Sequence, residues 1–195
     1  MPQFTGDELF QNDGLYMDFS LLDFWQWYAS DLMNHVVRGA IAEFVVGKAL
    51  GIQSPKAGWN SCDIVYQGKR LEIKSAAALG GKTGKPSSRI VFDVKPRLCC
   101  RQDDVAQGWC TEDELGKVFR RRSDLYVFCF LKESDPEIAS PLSLEQWEFF
   151  LLTTAVLDAN LGSRQTIRIP TILEYGGIRC SYDTLKQRVD AVLNV

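Results

Sequence analysis

Residues 62–75 have the sequence CDIVYQGKRLEIKS, and this segment decides the fold. A glycine in a two-residue loop between alternating apolar segments is typical of a β-hairpin, and here Gln67-Gly68 would form that loop. Tyr66 then pairs with Lys69, and the ladder extends outward from this pair. Side chains alternate between the two faces of a strand, so one face of the hairpin is apolar and the other polar. The polar face carries Asp63, Val65, Arg70, Glu72 and Lys74.

Two carboxylates face each other on this predicted hairpin. Asp63 would lie opposite Glu72, with Cβ atoms about 5 Å apart, and carboxylates at that separation repel unless a positive group lies between them. Mg²⁺ takes oxygen ligands and commonly uses one or two protein carboxylates. Lys74 would point to the same place, where an amine can orient or deprotonate a water or hold a phosphate. The alternative is a solvated polar face on which Asp63 pairs with Lys74 or Arg70.

Composition is that of a water-soluble globular protein. The 195 residues are 46% apolar and 24% charged, which fits a single domain spanning 1–195. The chain shows no signal-peptide pattern and no apolar run long enough to cross a membrane, and its six cysteines form no C-x-x-C pair. Cys62 and Cys129 lie in apolar strand patterns, as core thiols do. A reducing, cytoplasmic location is therefore expected.

Charge is unevenly distributed along the chain. The net charge of −3 argues against a protein that coats nucleic acid through its overall field, but it leaves room for a local basic cleft. Basic residues concentrate in residues 82–101 and again in 117–122, whereas many of the acids lie in residues 7–31 and 103–114. Solvated loops and helix faces are the alternative interpretation of these basic clusters.

A helix is predicted from about Asp31 to Leu50, with Ser30 as its cap and Gly51 as its end. Glu43 lies on an apolar, small-residue face of this helix, where an unpaired carboxylate is costly to bury. We therefore expect Glu43 near the acidic face of the hairpin. An earlier short helix carries the aromatic residues 24–28, which are expected to pack on the body or on a second subunit.

Further elements follow the hairpin. Residues 76–88 form a flexible loop in this interpretation, and 103–122 a polar, partly helical connection. The continuous apolar run 125–131 is the strongest signal of a buried strand in the chain. Other strands are expected at 89–94, 148–153 and 164–169, and helices at 154–160 and 182–193. The order predicts a mixed α/β domain.

These residues together resemble the PD-(D/E)XK nuclease superfamily, whose members have the restriction endonuclease-like fold. The resemblance rests on helical Glu43, strand Asp63 and the triplet Glu72-Ile73-Lys74, and it covers a catalytic core of about 31–131. Cys62 stands where the superfamily's name-giving proline would precede Asp63. The fold so implied is a central mixed β-sheet flanked by helices.

The resemblance also implies a function: a Mg²⁺-dependent endonuclease, with Mn²⁺ as a substitute, that hydrolyses DNA phosphodiester bonds. Asp63, Glu72 and the Ile73 carbonyl would bind the metal, Glu43 would bind a second metal or reach the first through water, and Lys74 would orient the attacking water. Cleavage of both strands of a duplex usually needs two active sites, which favours a homodimer. No association with a membrane is expected. Contacts to the phosphate backbone are expected from Arg70, Ser75, Lys82, Lys85 and Arg89.

Two alternatives remain at this point. One is a nuclease-fold module that binds DNA but has lost catalysis. The other is a protein-interaction subunit of a larger assembly, in which the aromatic cluster of Trp25, Trp27 and Tyr28 binds a protein and the acidic hairpin is only solvated.

Overall fold

The computed structural model of the protein describes residues 4–53, 62–80, 85–87 and 89–194. The helices of this part of the chain are α1 (Leu21–Ala29), α2 (His35–Ala49), α3 (Gln102–Ala106), α4 (Thr154–Leu161), α5 (Ile169–Glu174) and α6 (Tyr182–Leu193). Its strands are β1 (Leu9–Asn12), β2 (Leu15–Ser20), β3 (Ile64–Tyr66), β4 (Lys69–Ala77), β5 (Phe92–Asp93), β6 (Arg97–Leu98), β7 (Phe119–Arg120), β8 (Leu125–Leu131), β9 (Trp147–Thr153), β10 (Thr166–Ile167) and β11 (Ile178–Cys180).

A five-stranded mixed sheet forms the centre of the fold, in the order β11-β9-β8-β4-β3. β4 runs parallel to β8, while the other neighbouring strands are antiparallel. β8 is the middle strand and almost wholly buried, as its continuous apolar sequence predicts. The predicted α/β class, with a central mixed sheet and flanking helices, is confirmed. Within the described residues, no helix is both long and apolar enough to cross a membrane.

The hairpin of β3 and β4 forms in the predicted register. Tyr66 pairs with Lys69 and Ile64 with Leu71. Gln67 and Gly68 between them have φ of 48° and 77°, the positive values that a tight hairpin turn of this type requires. β3 begins at Ile64, however, so the predicted pair of Asp63 with Glu72 lies outside the strand ladder.

Helices cover both faces of the sheet and bury two apolar clusters. Leu71 and Ile73 of β4 belong to the cluster that packs against α2 and α6. Ala76 of β4 belongs to the cluster on the opposite face, with residues of α4 and α5. Tyr66 also ties the hairpin to α6, because its hydroxyl donates to Asp190 over 2.7 Å. Alternate residues of β4 therefore face two different environments.

Several strong local patterns correspond to the observed elements. The strand predicted over 148–153 is β9, the helix over 154–160 is α4, and the helix over 182–193 is α6. Cys62 and Cys129 are buried free thiols, as predicted.

The predicted start of the second helix is wrong. α2 begins at His35 rather than near Asp31, and Asn34, not Ser30, caps it by accepting from the Val36 amide over 2.9 Å. Its end agrees with the prediction, since Gly51 follows with φ of 78°. The preceding residues fold into turns in which the Asp31 carboxylate accepts from nearby backbone amides, so an acidic side chain competes locally with the helix.

The third strand of the predicted nuclease core is largely missing. Of the segment 89–94 only β5 is a strand, and it pairs with β10 rather than with the central sheet. β10 in turn covers two residues of the predicted strand 164–169. Between β5 and β8 the only α-helix of the described residues is the five-residue α3, in agreement with the polar, partly helical connection predicted over 103–122.

The N-terminal segment leaves its aromatic side chains exposed. β1 and β2 form a separate two-stranded ribbon, and α1 follows it from the cap Ser20. α1 buries none of its residues, and the Trp27 side chain is 82% exposed. The expectation that these rings pack on the body is therefore wrong, and packing on a second subunit stays a prediction.

Arg121 joins the segment before β8 to α4. Its side chain is 1% exposed and pairs with Asp158 of α4. The guanidinium also donates to the Val94 carbonyl over 2.8 Å and to the carbonyls of Gly162 and Arg164. Three backbone acceptors and one carboxylate thus satisfy a buried cation, as burial of a charge requires.

We expect Arg121→Ala to lower the free energy of unfolding by about 3 kcal/mol, because it leaves three backbone carbonyls without their donor and removes the partner of the half-exposed Asp158. The matched control is Arg188→Ala, which truncates an exposed arginine of α6 and should change stability by less than about 0.5 kcal/mol. Urea unfolding followed by circular dichroism measures both. Equal stabilities of the two variants would contradict this role for Arg121.

Candidate active site

Glu72 and Lys74 lie side by side on the polar face of β4. The Lys74 Nζ is 2.6 Å from Glu72 Oε1, and the two side chains are only 21% and 14% exposed. Side chains of a strand alternate between its two faces. Leu71 and Ile73 point into the core, so Glu72 and Lys74 point to the opposite face of β4. The predicted juxtaposition of these two side chains is present in the structure.

Asp63 lies just before β3 and reaches β4 with its side chain. Its Oδ2 accepts a hydrogen bond of 2.8 Å from the backbone amide of Ile73, the residue between Glu72 and Lys74. The backbone ladder of β3 and β4 ends at Ile64. One residue before it, the Asp63 side chain takes the place of a backbone carbonyl as the acceptor for β4. Asp63, Glu72 and Lys74 come together at one place on the sheet.

A cleft of about 370 Å³ opens next to this group. Glu72, Lys74 and Tyr126 form its floor on the sheet, and the two-stranded ribbon of β6 and β7 forms a wall. Burial and then the charge of Glu72 raise the pKa of Tyr126, so its phenol is neutral throughout the physiological range. The cleft borders the sheet where the apolar cover of α4 and α5 ends.

Basic residues dominate the lining of the cleft. It has six basic side chains against two acidic ones, Glu72 and Asp93. Arg121 and Arg122 are committed to structural ion pairs with Asp158 and Asp104. The remaining basic residues are Lys74, Lys95, Arg97 and Arg120. A cleft of this composition favours an anionic ligand.

Arg70 is held by other parts of the protein rather than directed freely to solvent. Its backbone amide and its Nε both bond to Asp124 Oδ2, at 2.7 and 3.3 Å. Its guanidinium stacks on the Trp109 ring, 3.7 Å from the ring centroid. These contacts give Arg70 a structural role at the start of β4, beside any contact with a ligand.

Arg70 does not line the cleft, and the other predicted phosphate contacts do not converge on it either. Ser75 points to the opposite face of β4 from Lys74, and its Oγ accepts from the Nε of buried Arg38 over 3.0 Å. Ser75 and the exposed Arg89 line a second groove, of about 470 Å³, beside the start of α2. Lys85 is exposed, and Lys82 lies outside the described residues.

Glu43 is half-buried on α2. Because α2 packs on the face of β4 that carries Leu71 and Ile73, Glu43 does not line the cleft of Glu72 and Lys74. Burial raises the pKa of the buried Cys129 thiol, and the charges of Cys180, Asp63 and Glu43 raise it further.

The oxygen donors at this place fit a hard divalent cation. Asp63 and Glu72 supply carboxylates, and the Ile73 amide is directed toward Asp63. The carbonyl of a strand residue points to the same side as its amide, so the Ile73 carbonyl is directed to the side of β4 on which Asp63 lies. Mg²⁺ and Mn²⁺ prefer such ligands and retain waters in their other positions. In the described part of the chain, no group of three or more His, Cys, Asp or Glu side chains is placed to hold a metal, so this set depends on the backbone carbonyl.

Sequence reasoning missed the ribbon of β6 and β7 as a part of the site. Its residues Arg97 and Arg120 belong to the two basic clusters of the sequence, 82–101 and 117–122, which the fold brings side by side. These two basic clusters were the only sign in the sequence of a positively charged part of the site. Nothing local indicated that they would pair across the intervening residues.

Comparison with known protein families, with curated proteins and with solved structures finds no match to this chain. The arrangement of its own residues is therefore the basis for a functional assignment.

The hydrogen bond from Ile73 to Asp63 predicts different effects for two substitutions. Asp63→Ala leaves a buried backbone amide without its acceptor and should lower the free energy of unfolding by about 1–3 kcal/mol. Asp63→Asn keeps a side-chain oxygen at this position and should lower it by less than about 1 kcal/mol. Urea unfolding tests both variants. If Asp63→Asn were destabilised as much as Asp63→Ala, the role of the Asp63 side chain as acceptor for the Ile73 amide would be contradicted.

Proposed function

We propose that the protein is a metal-dependent nuclease that hydrolyses phosphodiester bonds in DNA, most simply as an endonuclease of the restriction endonuclease-like type. The observation that carries this proposal is the meeting of Asp63, Glu72 and Lys74 beside a basic cleft. Two oxygen donors for a cation, an amine and a positively charged wall are the components that phosphodiester hydrolysis needs.

Each side chain has a role that follows from its position. Asp63 and Glu72, with the Ile73 carbonyl, would hold Mg²⁺ or Mn²⁺, which when bound polarises a phosphoryl oxygen and lowers the pKa of water. Lys74 would orient the attacking water and offset charge that develops on the phosphate. Glu72 fixes the Lys74 ammonium through their 2.6 Å ion pair. A supporting role for Glu43 stays a prediction.

The cleft supplies charge for a polyanionic substrate. Lys95, Arg97 and Arg120 line it together with Lys74. Electrostatic contacts to phosphates provide much of the affinity of proteins for DNA and do not depend on base sequence. The overall charge of −3 is compatible with this because the positive charge is local.

A second candidate is a module that binds DNA without cleaving it. The hydrogen bond of Asp63 with the Ile73 amide and the ion pair of Glu72 with Lys74 favour it, because both carboxylates already have protein partners. In this case the same cleft binds DNA, and the acidic pair has only a structural role. Catalysis separates the two candidates.

Cleavage of supercoiled plasmid with Mg²⁺ or Mn²⁺ tests the proposed activity. The wild-type protein should nick or linearise the plasmid, and EDTA should abolish this. Lys74→Ala and Glu72→Gln should each reduce the rate by about 10²-fold or more, as expected for loss of a group that acts in the transition state. Asp63→Asn should also lose activity while it remains folded.

The matched control is Lys132→Ala, which removes an exposed lysine that does not line the cleft, near the end of β8. It should cleave at the wild-type rate. Metal-dependent cleavage that survives in both Lys74→Ala and Glu72→Gln would contradict the assignment of the site. DNA binding without cleavage under all metal conditions would favour the second candidate.

A homodimer is the proposed assembly. The exposed aromatic residues of α1, among them Phe24, Trp25, Trp27 and Tyr28, provide a surface that a second subunit could cover. Two active sites in one assembly would allow cleavage of both strands. A cytoplasmic location remains the expectation drawn from the free cysteines.

A further inference from the structure

The ribbon of β6 and β7 places two arginines directly opposite each other. Arg97 pairs with Arg120, and Leu98 with Phe119, in antiparallel register. Like charges at directly opposed positions of a ladder destabilise it. A ribbon of only two residue pairs has little other pairing to offset this repulsion, so an anion between or beside the guanidinium groups would stabilise it.

Acidic groups of the protein neutralise this charge only in part. Arg120 has an ion pair of 3.2 Å with Glu114, but both side chains are substantially exposed, and such a pair is weak. Lys95 and Arg97 are exposed and line the same cleft. In the described residues, no acidic side chain forms an ion pair with either of them.

The same ribbon exposes an aromatic ring. Phe119 lines the cleft, as Arg120 does, and its side chain is 58% exposed. The two residues are neighbours in β7, so the ring and the guanidinium leave opposite faces of the ribbon, and both border the cleft. Exposed aromatic rings and cations along one groove are features that bind single-stranded nucleic acid: a ring stacks on a base while the cations hold the phosphates. Duplex DNA presents its phosphates but keeps its base faces covered by stacking, and thus offers no partner to this ring.

We propose that the ribbon of β6 and β7 is a subsite for an unpaired nucleotide, with Phe119 stacked on its base and with Arg97, Arg120 and Lys95 at its phosphates. The inference rests on the proposed function, since it assigns to that site a substrate with a single-stranded stretch next to the bond that is cut. It specifies the substrate as a polynucleotide chain rather than a free phosphate.

Two structural anchors fix the ribbon relative to Glu72 and Lys74. Arg122, directly before β8, pairs with buried Asp104 over 2.9 Å. Asp104 also accepts from the Cys100 and Arg101 amides, just after β6, over 2.8 and 2.9 Å. The ribbon is thus held beside the sheet in a fixed position, which favours a preformed subsite.

The test is direct binding without metal. A fluorescently labelled single-stranded oligonucleotide and the duplex of the same sequence are titrated in EDTA and followed by anisotropy. We expect the single strand to bind at least about tenfold more tightly than the duplex. Phe119→Ala should weaken single-strand binding by roughly five- to a hundredfold, the range expected for loss of one base-stacking contact, and should leave duplex binding unchanged.

The matched control is Phe44→Ala, because Phe44 is 63% exposed on α2, away from the cleft. It should bind both ligands like the wild type. The double variant Arg97→Ala/Arg120→Ala should weaken binding and reduce the slope of log affinity against log salt by about 0.7 for each lost phosphate contact on a single strand. Thermal unfolding confirms that each variant is folded.

The outcomes separate this inference from the proposed nuclease activity. Equal affinity for both ligands, or a folded Phe119→Ala that binds single strands like the wild type, overturns the subsite even if the protein cleaves plasmid. Selective single-strand binding that requires Phe119 supports the subsite even if no cleavage is found, because the titration contains no metal and depends on no turnover.

Discussion

The register of β4 against β8 is the constraint on which the site depends. These strands pair in parallel from Leu71 opposite Leu125 to Ala77 opposite Leu131. Because side chains alternate, this register sends Leu71 and Ile73 into the core under α2 and sends Glu72 and Lys74 toward the cleft. A shift by one residue would bury a carboxylate and an ammonium and expose two large apolar side chains. The core that stabilises the sheet thus also fixes the direction of the polar pair.

Two arginines, buried Arg121 and partly buried Arg122, then build the cleft around that pair. Arg121 joins Val94 to α4, and Arg122 joins the segment before β8 to Asp104. Both ion pairs cost desolvation. Three backbone carbonyls offset this cost at Arg121. Arg122 donates to the Leu98 carbonyl and to Asp104, while its buried Nε has no hydrogen-bond partner in the described residues. The two ion pairs hold the ribbon of β6 and β7 against the sheet, so positive charge that is dispersed in the sequence gathers beside Glu72 and Lys74. Structure and proposed function share these anchors.

Local patterns predict those parts of the fold that local interactions determine. The hairpin turn at Gln67-Gly68, the apolar strand β8 and the helices α4 and α6 are visible in the sequence because their turn residues and periodicity suffice to define them. The juxtaposition of Glu72 and Lys74 follows from strand alternation alone. Most of the candidate site is therefore predictable from residues 62–75.

Elements that depend on distant partners escaped prediction. β5 pairs with β10, which lies far along the chain, and the pairing of β6 with β7 spans the segment that contains α3. The buried positions of Arg38 and Arg121 likewise depend on acceptors from remote segments. β3 begins one residue later than expected, so the predicted backbone pair of Asp63 with Glu72 does not form. The Asp63 side chain instead accepts a hydrogen bond from the Ile73 amide. Such contacts have no signature in the local sequence.

The proposed activity requires that Asp63, Glu72 and the Ile73 carbonyl form one cation site. An anomalous difference map from crystals of the protein soaked in Mn²⁺ tests this, since the map locates the ion without reliance on turnover. We expect a peak within bonding distance of both carboxylates, together with release of Glu72 or Asp63 from its present protein partner. A map with Mn²⁺ bound elsewhere, and with Asp63 still on the Ile73 amide and Glu72 still on Lys74, would contradict it.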